Sequence, residues 1–313
     1  MIKVLITGGA GFIPSSLAVK LIEKGNYEVV LVDNFLTGNV INIPSSEHCK
    51  FIKADVNNYS DISAIMLSHV FDYVFHYAAM VGVKRTLDNP VSVLNDITGI
   101  KNVLDLAKNT GVKRVFFSSS SEVYGEPVEF PQNEETTPLN SRLPYAIVKN
   151  VGEAFLKSYK QEFGLEYTVF RFFNTYGPKQ SIDFVISKFI NAALSHQDIT
   201  IYGDGGQTRT FCYIDDNIDA TINALSHSEY ANQTINIGND KEVTILELAS
   251  LIIKLTQSKS KIIHLPPLKE GDMTRRKPDI TIMKKVLGRE LLSLEEGLKK
   301  VIEKGVFKNS YSL

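Results

Sequence analysis

The sequence predicts an α/β protein with a Rossmann-type, doubly wound parallel sheet and a smaller C-terminal α/β substrate lobe. Short β-branched runs alternate with longer amphipathic stretches through the first half, which is the pattern of βαβ units. A glycine-rich turn follows the first of these runs and opens a helix. After residue 170 the alternation loosens, and turn clusters at 176–178, 203–206 and 265–267 separate shorter elements. We expect this second part to form the smaller lobe.

The predicted strands of the sheet domain are five short apolar runs, at 4–7, 29–32, 51–53, 73–76 and 115–118. Helices are expected to begin near Phe12, Ser60 and Val91, after the first, third and fourth strands. Such alternation implies right-handed crossovers and a parallel sheet covered by helices on both faces. We place the sheet domain at 1–170 and the lobe at 171–313, with some crossing of the chain between them.

Charge and cysteine content exclude several classes of protein. The chain of 313 residues carries 34 basic and 35 acidic residues, so no overall field attracts nucleic acid or an anionic membrane. Cys49 and Cys212 are too few and too distant for a disulfide framework or a cysteine-rich zinc site. No apolar stretch approaches a membrane span, and the N-terminal run is too short for a signal sequence. We expect a cytoplasmic protein without a bound metal.

The glycine turn reads Thr-Gly-Gly-Ala-Gly-Phe-Ile-Pro over residues 7–14. Gly8 permits a tight turn, and Gly11 lets backbone N–H groups approach a pyrophosphate at the start of the helix, where Phe12 and Ile13 follow. Pro14 replaces the usual third glycine, and proline is tolerated in the first helical turn. An isolated glycine pattern can also be a turn that binds nothing. With its flanking strand and helix, this one predicts a dinucleotide site.

Asp33 supports the dinucleotide interpretation. It ends the second strand about twenty residues beyond the glycine turn, where a carboxylate accepts hydrogen bonds from the ribose hydroxyls and repels a 2′-phosphate. NAD is therefore favoured over NADP, and we assign the adjacent Asn34 to the same site. The alternative is that Asp33 only begins a turn with Asn34.

The reacting groups follow the fifth strand and open the next helix. Residues 118–125 read Ser-Ser-Ser-Ser-Glu-Val-Tyr-Gly, which places hydroxyl groups at the carboxyl edge of the sheet. Tyr145 and Lys149 lie four residues apart and project from one helix face. A lysine ammonium beside a phenol lowers the phenol pKa, which makes a base for a hydroxyl proton, and Ser120 can hold the same oxygen. The spacing alone is common on solvated helices, so its order after the glycine turn is the stronger evidence.

In these motifs the sequence resembles the extended short-chain dehydrogenase/reductase family, in particular its sugar-nucleotide epimerases, dehydratases and decarboxylases. The resemblance covers essentially the whole chain. Besides the groups above, it rests on the segments at 55–56, 76–79, 171–178, 202–209 and 275–279. It implies an NAD-dependent enzyme that oxidises C4 of a nucleotide-diphosphate sugar. It also implies a homodimer, with the helices near 91–108 and 145–163 at the interface.

The resemblance assigns further residues to the cofactor. Asp55 and Val56 are expected near adenine, and Ala78 and Ala79 are expected to line the dinucleotide. The cofactor set is completed by residues at the reacting centre, namely Ser118, Tyr145 and Lys149.

The resemblance also assigns residues to the substrate. It implies that Asn174 and Arg209 meet the diphosphate, and the forked donors of Arg209 suit phosphate oxygens. A surface ion pair is the alternative for Arg209. Arg275 and Arg276 are weaker candidates for contact with the nucleotide or the sugar, and Ser121 is assigned to the sugar.

Three reactions can follow oxidation at C4: reduction from the opposite face, loss of water across C5 and C6, or loss of a C5 carboxylate. One fold serves all three. A carboxylate at Glu122 resembles the decarboxylases and some dehydratases, in which it could act on C5, although Glu122 could also cap the local turn. Ser121 stands where thymidine-nucleotide 4,6-dehydratases carry an aspartate, so their version of dehydration is disfavoured, whereas the GDP-mannose type is not excluded. The segment 275–280 resembles the one that faces the substrate carboxylate in UDP-glucuronate decarboxylases, whose usual threonine is Ser120 here.

We therefore rank a 4-epimerase first, a UDP-glucuronate-type decarboxylase second and a dehydratase third. A net 4-dehydrogenase that releases the keto sugar is also open. An NAD-binding sensor or scaffold is the non-enzymatic alternative, and the joint presence of Ser120, Tyr145 and Lys149 argues against it. A reductase of small ketones would lack the segment around Arg209.

Overall fold

The computed structural model describes residues 1–126, 128–267 and 276–304, with only the backbone described at 83 and 84. The strands are β1 (Ile2–Thr7), β2 (Tyr27–Asp33), β3 (Cys49–Lys53), β4 (Tyr73–His76), β5 (Arg114–Ser120), β6 (Glu166–Phe172), β7 (Thr175–Tyr176), β8 (Ile199–Tyr202), β9 (Thr208–Thr210), β10 (Cys212–Tyr213), β11 (Gln233–Ile237), β12 (Glu242–Thr244) and β13 (Ile262–Leu265). The α-helices are α1 (Phe12–Glu23), α2 (Tyr59–Ser68), α3 (Val83–Asp88), α4 (Pro90–Leu94), α5 (Asp96–Thr110), α6 (Pro144–Phe163), α7 (Val185–Leu194), α8 (Ile214–Ser226), α9 (Ile245–Thr256), α10 (Thr281–Leu287) and α11 (Leu294–Lys304). Short 3-10 helices lie at Val40–Asn42, Ser121–Tyr124 and Ser228–Tyr230.

The central sheet has seven strands in the order β11-β6-β5-β4-β1-β2-β3, and the pairs from β3 to β6 are parallel. Its strands form near-continuous buried apolar runs, such as Val4, Leu5 and Ile6 in β1, as expected of a sheet covered on both faces. The chain proceeds from β1 to β2 and β3 on one side, and then returns to β4 on the other. The order therefore reverses at β1 and β4, where doubly wound sheets bind ligands at the strands' carboxyl ends. The predicted fold class is confirmed.

All five strands predicted in the sheet domain are present, with ends that differ by up to two residues. Helices α1 and α2 begin within one residue of the predicted positions. After β4, a helix also begins within one residue of the predicted Val91, because α4 begins at Pro90, but α3 precedes it and α5 follows it. Pro90 is the first residue of α4, and a residue that precedes proline is disfavoured in helical conformation. Asn89 accordingly has φ −129° and ψ 56°, which separates α3 from α4.

The described chain forms two compact units. The first contains Met1–Gly125, Pro138–Phe172 and Ile218–Ile235, and therefore most of the central sheet. The second contains Glu126–Thr137, Phe173–Asn217 and the described part of Asn236–Leu313. Within the second unit, small strand pairs form between β7 and β10, between β8 and β13, and between β9 and β12. The division at residue 170 into cofactor and substrate domains stays a prediction.

Two further features bear on where the protein acts. Among the described residues, no helix combines the length and the apolar character that crossing a membrane requires. Cys49 and Cys212 are both free, and Cys212 is buried. A cytoplasmic location stays a prediction.

Candidate active site

The glycine turn lies against the segment that follows β4. Gly8 has φ +71°, and a Cβ atom at this position would stand 2.9 Å from the Ala78 backbone nitrogen. Only glycine fits both the conformation and the close approach. The Gly11 N–H donates to the Gly8 carbonyl at 2.8 Å, and Gly11 is the N-cap of α1, which has no side-chain cap hydrogen bond and no acidic residue in its first turn. Pro14 is accommodated in the first turn of α1, and pyrophosphate binding by the first N–H groups of this helix stays a prediction.

Asp33 lies beside the glycine turn at the end of β2. Its Oδ2 accepts a hydrogen bond from the Ala10 N–H at 3.0 Å, and its Oδ1 accepts one from the Phe35 N–H at 2.7 Å. Burial raises the pKa of this carboxyl group, while the two backbone hydrogen bonds oppose the rise. The Phe35 contact is the local turn that we considered as the alternative role. Through the Ala10 hydrogen bond, Asp33 also holds the glycine turn, which is predicted to bind the pyrophosphate.

The predicted adenosine residues meet at the ends of β2 and β3. The Asn34 side-chain amide donates to Asp55 Oδ2 at 3.1 Å. Asp55 Oδ1 accepts from the Asn57 N–H at 2.8 Å, and Val56 between them is buried. The structure thus brings Asn34, Asp55 and Val56 together beside Asp33. Their contact with adenine stays a prediction.

A hydrogen-bond cluster that sequence reasoning missed joins β1 to β4. Thr7 Oγ1 accepts from the N–H groups of Tyr77 and Ala78 at 3.1 Å each, so its own proton is directed to His76 Nδ1, 2.9 Å away. Burial and the nearby Lys149 charge lower the pKa of His76 to about 3, which keeps the ring neutral. Thr7 and His76 are partners in strand register. The sequence does carry a signal for this cluster, because two neighbouring apolar strands, β1 and β4, each end in a polar residue. The cluster positions the segment of Ala78 and Ala79.

The reacting residues come together between β5 and the first turns of α6. Helix α6 begins at Pro144, so Tyr145 lies in its first turn and Lys149 one turn later. The ammonium nitrogen of Lys149 lies 5.7 Å from the centre of the Tyr145 ring and 4.9 Å from that of the Phe117 ring. It donates a hydrogen bond to Ser118 Oγ at 3.4 Å. The structure therefore brings Tyr145 and Lys149 together with Ser118 of β5, and the action of Ser120 on the same substrate oxygen stays a prediction.

Lys149 is almost completely enclosed, with 2% of its surface exposed. Burial lowers the pKa of Lys149 to about 8, and the negative charge of Asp96 opposes the fall. The side chain therefore carries a charge at neutral pH and loses it as the pH rises through about 8. Because the charge is enclosed, its field on the neighbouring phenol is weakly screened.

Ser120 and Glu122 share a short 3-10 turn. Ser120 Oγ caps the 3-10 helix Ser121–Tyr124 by accepting a hydrogen bond from the Glu122 N–H at 3.2 Å. Ser120 and Ser121 are buried, whereas Glu122 is half-buried. The backbone of Glu122 thus helps to hold Ser120 in place. Whether its carboxylate acts on the sugar stays a prediction.

A buried ion pair between Arg171 and Glu153, which was not predicted, contacts this 3-10 turn. Both guanidinium and carboxylate are 2% exposed: Arg171 donates to Glu153 through Nε at 3.0 Å and through Nη2 at 2.7 Å. Glu153 also accepts from Ser119 at 2.5 Å, and Arg171 donates to the Tyr124 hydroxyl at 2.8 Å. The network ties β5, β6, α6 and the 3-10 turn together. The signal was available, because Glu153 continues the spacing of four that Tyr145 and Lys149 begin.

The predicted diphosphate residues belong to the second unit. Asn174 has φ +36°, an uncommon conformation for a residue other than glycine, and its amide donates to the Thr210 carbonyl at 3.0 Å. Arg209 lies in β9, half-buried, and its Nη1 donates to the Thr208 carbonyl at 2.8 Å. Asn174 and Arg209 are thus both anchored at β9. Their contact with a diphosphate stays a prediction.

The two adjacent arginines are described only in part. Arg276 is half-buried, and Arg275 lies outside the described residues. The residues that follow Arg276 are held by two backbone hydrogen bonds to Gln132. The Gln132 N–H donates to the Lys277 carbonyl, and the Asp279 N–H donates to the Gln132 carbonyl, each at 2.8 Å. A sugar contact for Arg275 or Arg276 stays a prediction.

Replacing Asp33 with asparagine is expected to weaken NAD binding about 10- to 100-fold, because a hydrogen bond from a ligand to a charged group stabilises by about 1.5–3 kcal/mol. Preference for NAD over NADP should fall as well, since the negative charge that repels a 2′-phosphate is removed. Titration calorimetry with both dinucleotides measures these changes. Glu23→Gln, at the far end of α1, is the matched control and should bind NAD normally. Equal NAD affinity in Asp33→Asn and the wild type would show that Asp33 only shapes the turn.

Comparison with known proteins agrees with this geometry. The family model described as "NAD dependent epimerase/dehydratase family" matches residues 4–238. The chain is 38% identical to UDP-glucuronic acid decarboxylase 1 of Danio rerio, over 96% of this chain and 72% of the relative.

Solved structures give a similar result. The UDP-glucose 4-epimerase of Thermotoga maritima with UDP-glucose superposes with a TM-score of 0.91 at 34% identity, covering 97% of this chain and 98% of that one. The UDP-glucuronic acid 4-epimerase of Bacillus cereus, in complex with UDP-glucuronic acid and NAD, has a TM-score of 0.88 at 30% identity and covers 99% and 100%. The chain therefore belongs to the NAD-dependent epimerase/dehydratase family of sugar-nucleotide enzymes, and NAD is its cofactor.

Proposed function

We propose that this enzyme is a nucleotide-sugar 4-epimerase, which oxidises C4 of a UDP-sugar transiently and reduces the ketone again from the opposite face. The observation that carries the oxidation at C4, the step that all the candidate reactions share, is the enclosed ammonium of Lys149, 5.7 Å from the centre of the Tyr145 ring. Both UDP-sugar epimerases compared above support the choice of substrate class. Membership of this enzyme family argues against the non-enzymatic alternative, an NAD-binding sensor or scaffold.

The chemistry at C4 needs a base, a positive charge and a donor to the reacting oxygen. Bound NAD supplies the acceptor for the hydride from C4. The Tyr145 phenolate takes the proton of the C4 hydroxyl, and the Lys149 ammonium stabilises that phenolate. Ser120 Oγ already accepts the Glu122 N–H. The Ser120 hydroxyl is therefore able to donate its proton in a hydrogen bond to the C4 oxygen. This hydrogen bond would hold the C4 oxygen in line with Tyr145.

Two groups of residues would hold the remainder of the ligands. The N-terminus of α1, with Asp33, Asn34 and Asp55, would bind the adenosine and pyrophosphate of NAD. Asn174 and Arg209 would bind the substrate diphosphate, and the planar guanidinium of Arg209 can contact two phosphate oxygens at once. Arg276, and with it Arg275, would contact the nucleotide or the sugar.

Decarboxylation of a UDP-uronate is the second candidate, and one specific observation favours it. Glu122 follows directly after the serine segment on the turn that Ser120 caps, where a carboxylate could act on C5 or orient a departing carboxylate. The similarity to a UDP-glucuronic acid decarboxylase supports this reading. Loss of water, or release of the keto sugar, would follow from the same C4 oxidation.

Incubation with a panel of nucleotide sugars separates these reactions. UDP-glucose, UDP-glucuronate and UDP-N-acetylglucosamine are supplied with GDP-mannose and dTDP-glucose, and the products are analysed by mass spectrometry and NMR. We expect a UDP-sugar product of unchanged mass with inverted configuration at C4. Loss of carbon dioxide, of water or of two hydrogens as the sole outcome would assign the enzyme to a decarboxylase, a dehydratase or a dehydrogenase instead.

If the enzyme decarboxylates a UDP-uronate, changing Glu122 to glutamine is expected to abolish chemistry at C5 and to spare oxidation at C4, because the amide cannot serve as a base but keeps the backbone N–H that Ser120 Oγ accepts. Reduction of NAD on addition of substrate reports the first step, and carbon dioxide release from UDP-glucuronate reports the second. Glu126→Gln, four residues further on, is the matched control. An equal loss of both steps in Glu122→Gln would show that the carboxylate is structural.

A homodimer through α4 and α6 is part of the same proposal. Val91 in α4 is 72% exposed, and Leu87, Leu94 and Ile147 on α3, α4 and α6 are exposed as well. Helices α3 and α4 pack against α6, so these apolar side chains belong to adjoining elements. A second copy of the chain would cover them. Sedimentation should find a dimer for the wild type and a monomer for Val91→Glu, whereas a monomeric wild type would exclude this interface.

A further inference from the structure

The loop that follows β2 lies on the glycine turn and contributes to holding both polar backbone groups of Ala10. Residues 34–42 form this β2 loop, directly after Asp33. The Ala10 N–H donates to Asp33 Oδ2 at 3.0 Å. The Ala10 carbonyl accepts two hydrogen bonds from the β2 loop, one from the Asn39 N–H and one from the side-chain amide of Asn42, each at 3.0 Å. Ala10 is fully buried, so these protein groups are its partners in place of solvent.

Gly38 shows how closely the β2 loop approaches the glycine turn. A Cβ atom at Gly38 would stand 2.7 Å from the Ala10 Cβ and 2.9 Å from each carboxylate oxygen of Asp33. The φ angle of Gly38 lies outside the left-handed region, so the close approach and not the backbone conformation requires glycine here. The β2 loop, Asp33 and the glycine turn are therefore packed in direct contact.

The direction of the Ala10 carbonyl matters for an anion at the start of α1. Gly11 is the N-cap, so the helix begins with Phe12, Ile13 and Pro14, at positions where an N–H group has no intrahelical acceptor. Proline has no N–H, so the donors that these positions offer to a phosphate are those of Phe12 and Ile13. A carbonyl oxygen carries a partial negative charge and would repel the same phosphate. The Ala10 carbonyl, two residues before the helix, is bound to the β2 loop instead.

We propose that Asn42 is a positioning residue for the pyrophosphate of NAD. Its amide keeps the Ala10 carbonyl on the β2 loop, so that the turn presents N–H groups and not this carbonyl oxygen to the phosphates. The inference rests on the proposed pyrophosphate site at the start of α1. It goes beyond that site, because it makes NAD affinity depend on a side chain outside the set of residues assigned to the cofactor.

The decisive variant is Asn42→Leu, which keeps the approximate size of the side chain and removes its N–H donors. NAD binding to the full-length chain is measured by calorimetry, and adenosine binding is measured by NMR. We expect NAD to bind about three- to tenfold more weakly than to the wild type, because one neutral hydrogen bond is lost. Adenosine has no phosphate, so its affinity should be unchanged. Asn42→Ala removes the same donors and should show the same selective loss, also where leucine disturbs the loop.

Gln233→Leu is the matched control. The Gln233 side-chain amide donates to the Glu229 carbonyl at 3.0 Å, which is the same kind of hydrogen bond at β11, the sheet edge remote from β2. This variant should bind NAD and adenosine as the wild type does. Normal NAD affinity in Asn42→Leu would overturn the proposal. So would an equal loss of NAD and adenosine affinity, which would assign Asn42 to general support of the loop.

Gly8→Ala tests the underlying pyrophosphate site separately. The added Cβ would stand 2.9 Å from the Ala78 backbone nitrogen, at a position with φ +71°, so the turn must shift and NAD affinity should fall by about tenfold or more. If Gly8→Ala binds NAD normally, the proposed cofactor site is wrong, and the role of Asn42 with it. If Gly8→Ala loses NAD affinity and Asn42→Leu binds NAD normally, only the role of Asn42 is wrong.

Discussion

Replacing Tyr145 with phenylalanine is expected to lower turnover about a thousandfold while NAD binding is retained. The change removes one hydroxyl group and keeps the ring over which the Lys149 ammonium lies, so packing at the start of α6 should be preserved. Without the phenol, no base takes the C4 proton. Turnover is measured by NMR on the substrate identified in the panel, and NAD affinity is measured by calorimetry.

The chain offers a matched control on the same helix. Tyr159 also lies in α6, and its hydroxyl donates to Asp105 at 2.8 Å. Tyr159→Phe makes the same chemical change at another position of α6 and should leave turnover close to normal. Near-normal turnover in Tyr145→Phe would remove Tyr145 from the mechanism. A large loss of NAD affinity in that variant would show that Tyr145 serves mainly to bind the cofactor.

Breaking the buried ion pair is expected to have the largest effect on stability. Glu153→Leu leaves the guanidinium of Arg171 enclosed without a counter-charge, which costs about 3–5 kcal/mol in the free energy of unfolding. Burial disfavours the charged form of Arg171, but hydrogen bonds and attraction from Glu153 outweigh it and raise the pKa of Arg171. The variant loses the contribution of Glu153, but a guanidinium is too basic to lose its proton in a protein, so Arg171 stays charged in the variant's core until the chain unfolds. Urea unfolding followed by circular dichroism measures the change.

An exposed ion pair gives the comparison for this prediction. Lys299 and Glu295 lie one turn apart on α11, 2.7 Å between Nζ and Oε1, with about half of each side chain in solvent. Glu295→Leu should leave stability unchanged, because solvent screens such pairs. If Glu153→Leu and Glu295→Leu unfold at the same urea concentration, the buried network does not stabilise the turn that carries Ser120 and Glu122.

Local patterns were sufficient for the sheet and for the centre of the site. The strands were predictable because buried parallel strands are short apolar runs, and Tyr145 with Lys149 because helical spacing is visible in the sequence. The break between α3 and α4 was also encoded, since Pro90 disfavours a helical Asn89, but hydrophobic periodicity alone does not register it. The strand ends were thus predicted to within two residues, whereas the short helix α3 before Pro90 was missed.

The supporting contacts were not predictable in the same way. Thr7 and His76 are 69 residues apart in sequence, and Asn42 lies 32 residues from Ala10. Such pairs depend on strand register and helix packing, which a single sequence does not display. Glu153 is the intermediate case, because its spacing from Lys149 on α6 was visible while its partner Arg171, on β6, was not. The groups that tune the site therefore became apparent only from the fold.

Transfer of deuterium from C4 is the most direct test of the central claim, that this enzyme oxidises C4 of a nucleotide sugar. The wild type is incubated with a UDP-sugar deuterated at C4, and the cofactor and product are examined by mass spectrometry after rapid quenching. We predict that deuterium is found transiently in the reduced cofactor and then again at C4 of the inverted product. Inversion with loss of the deuterium to water, or without any label in the cofactor, would contradict it.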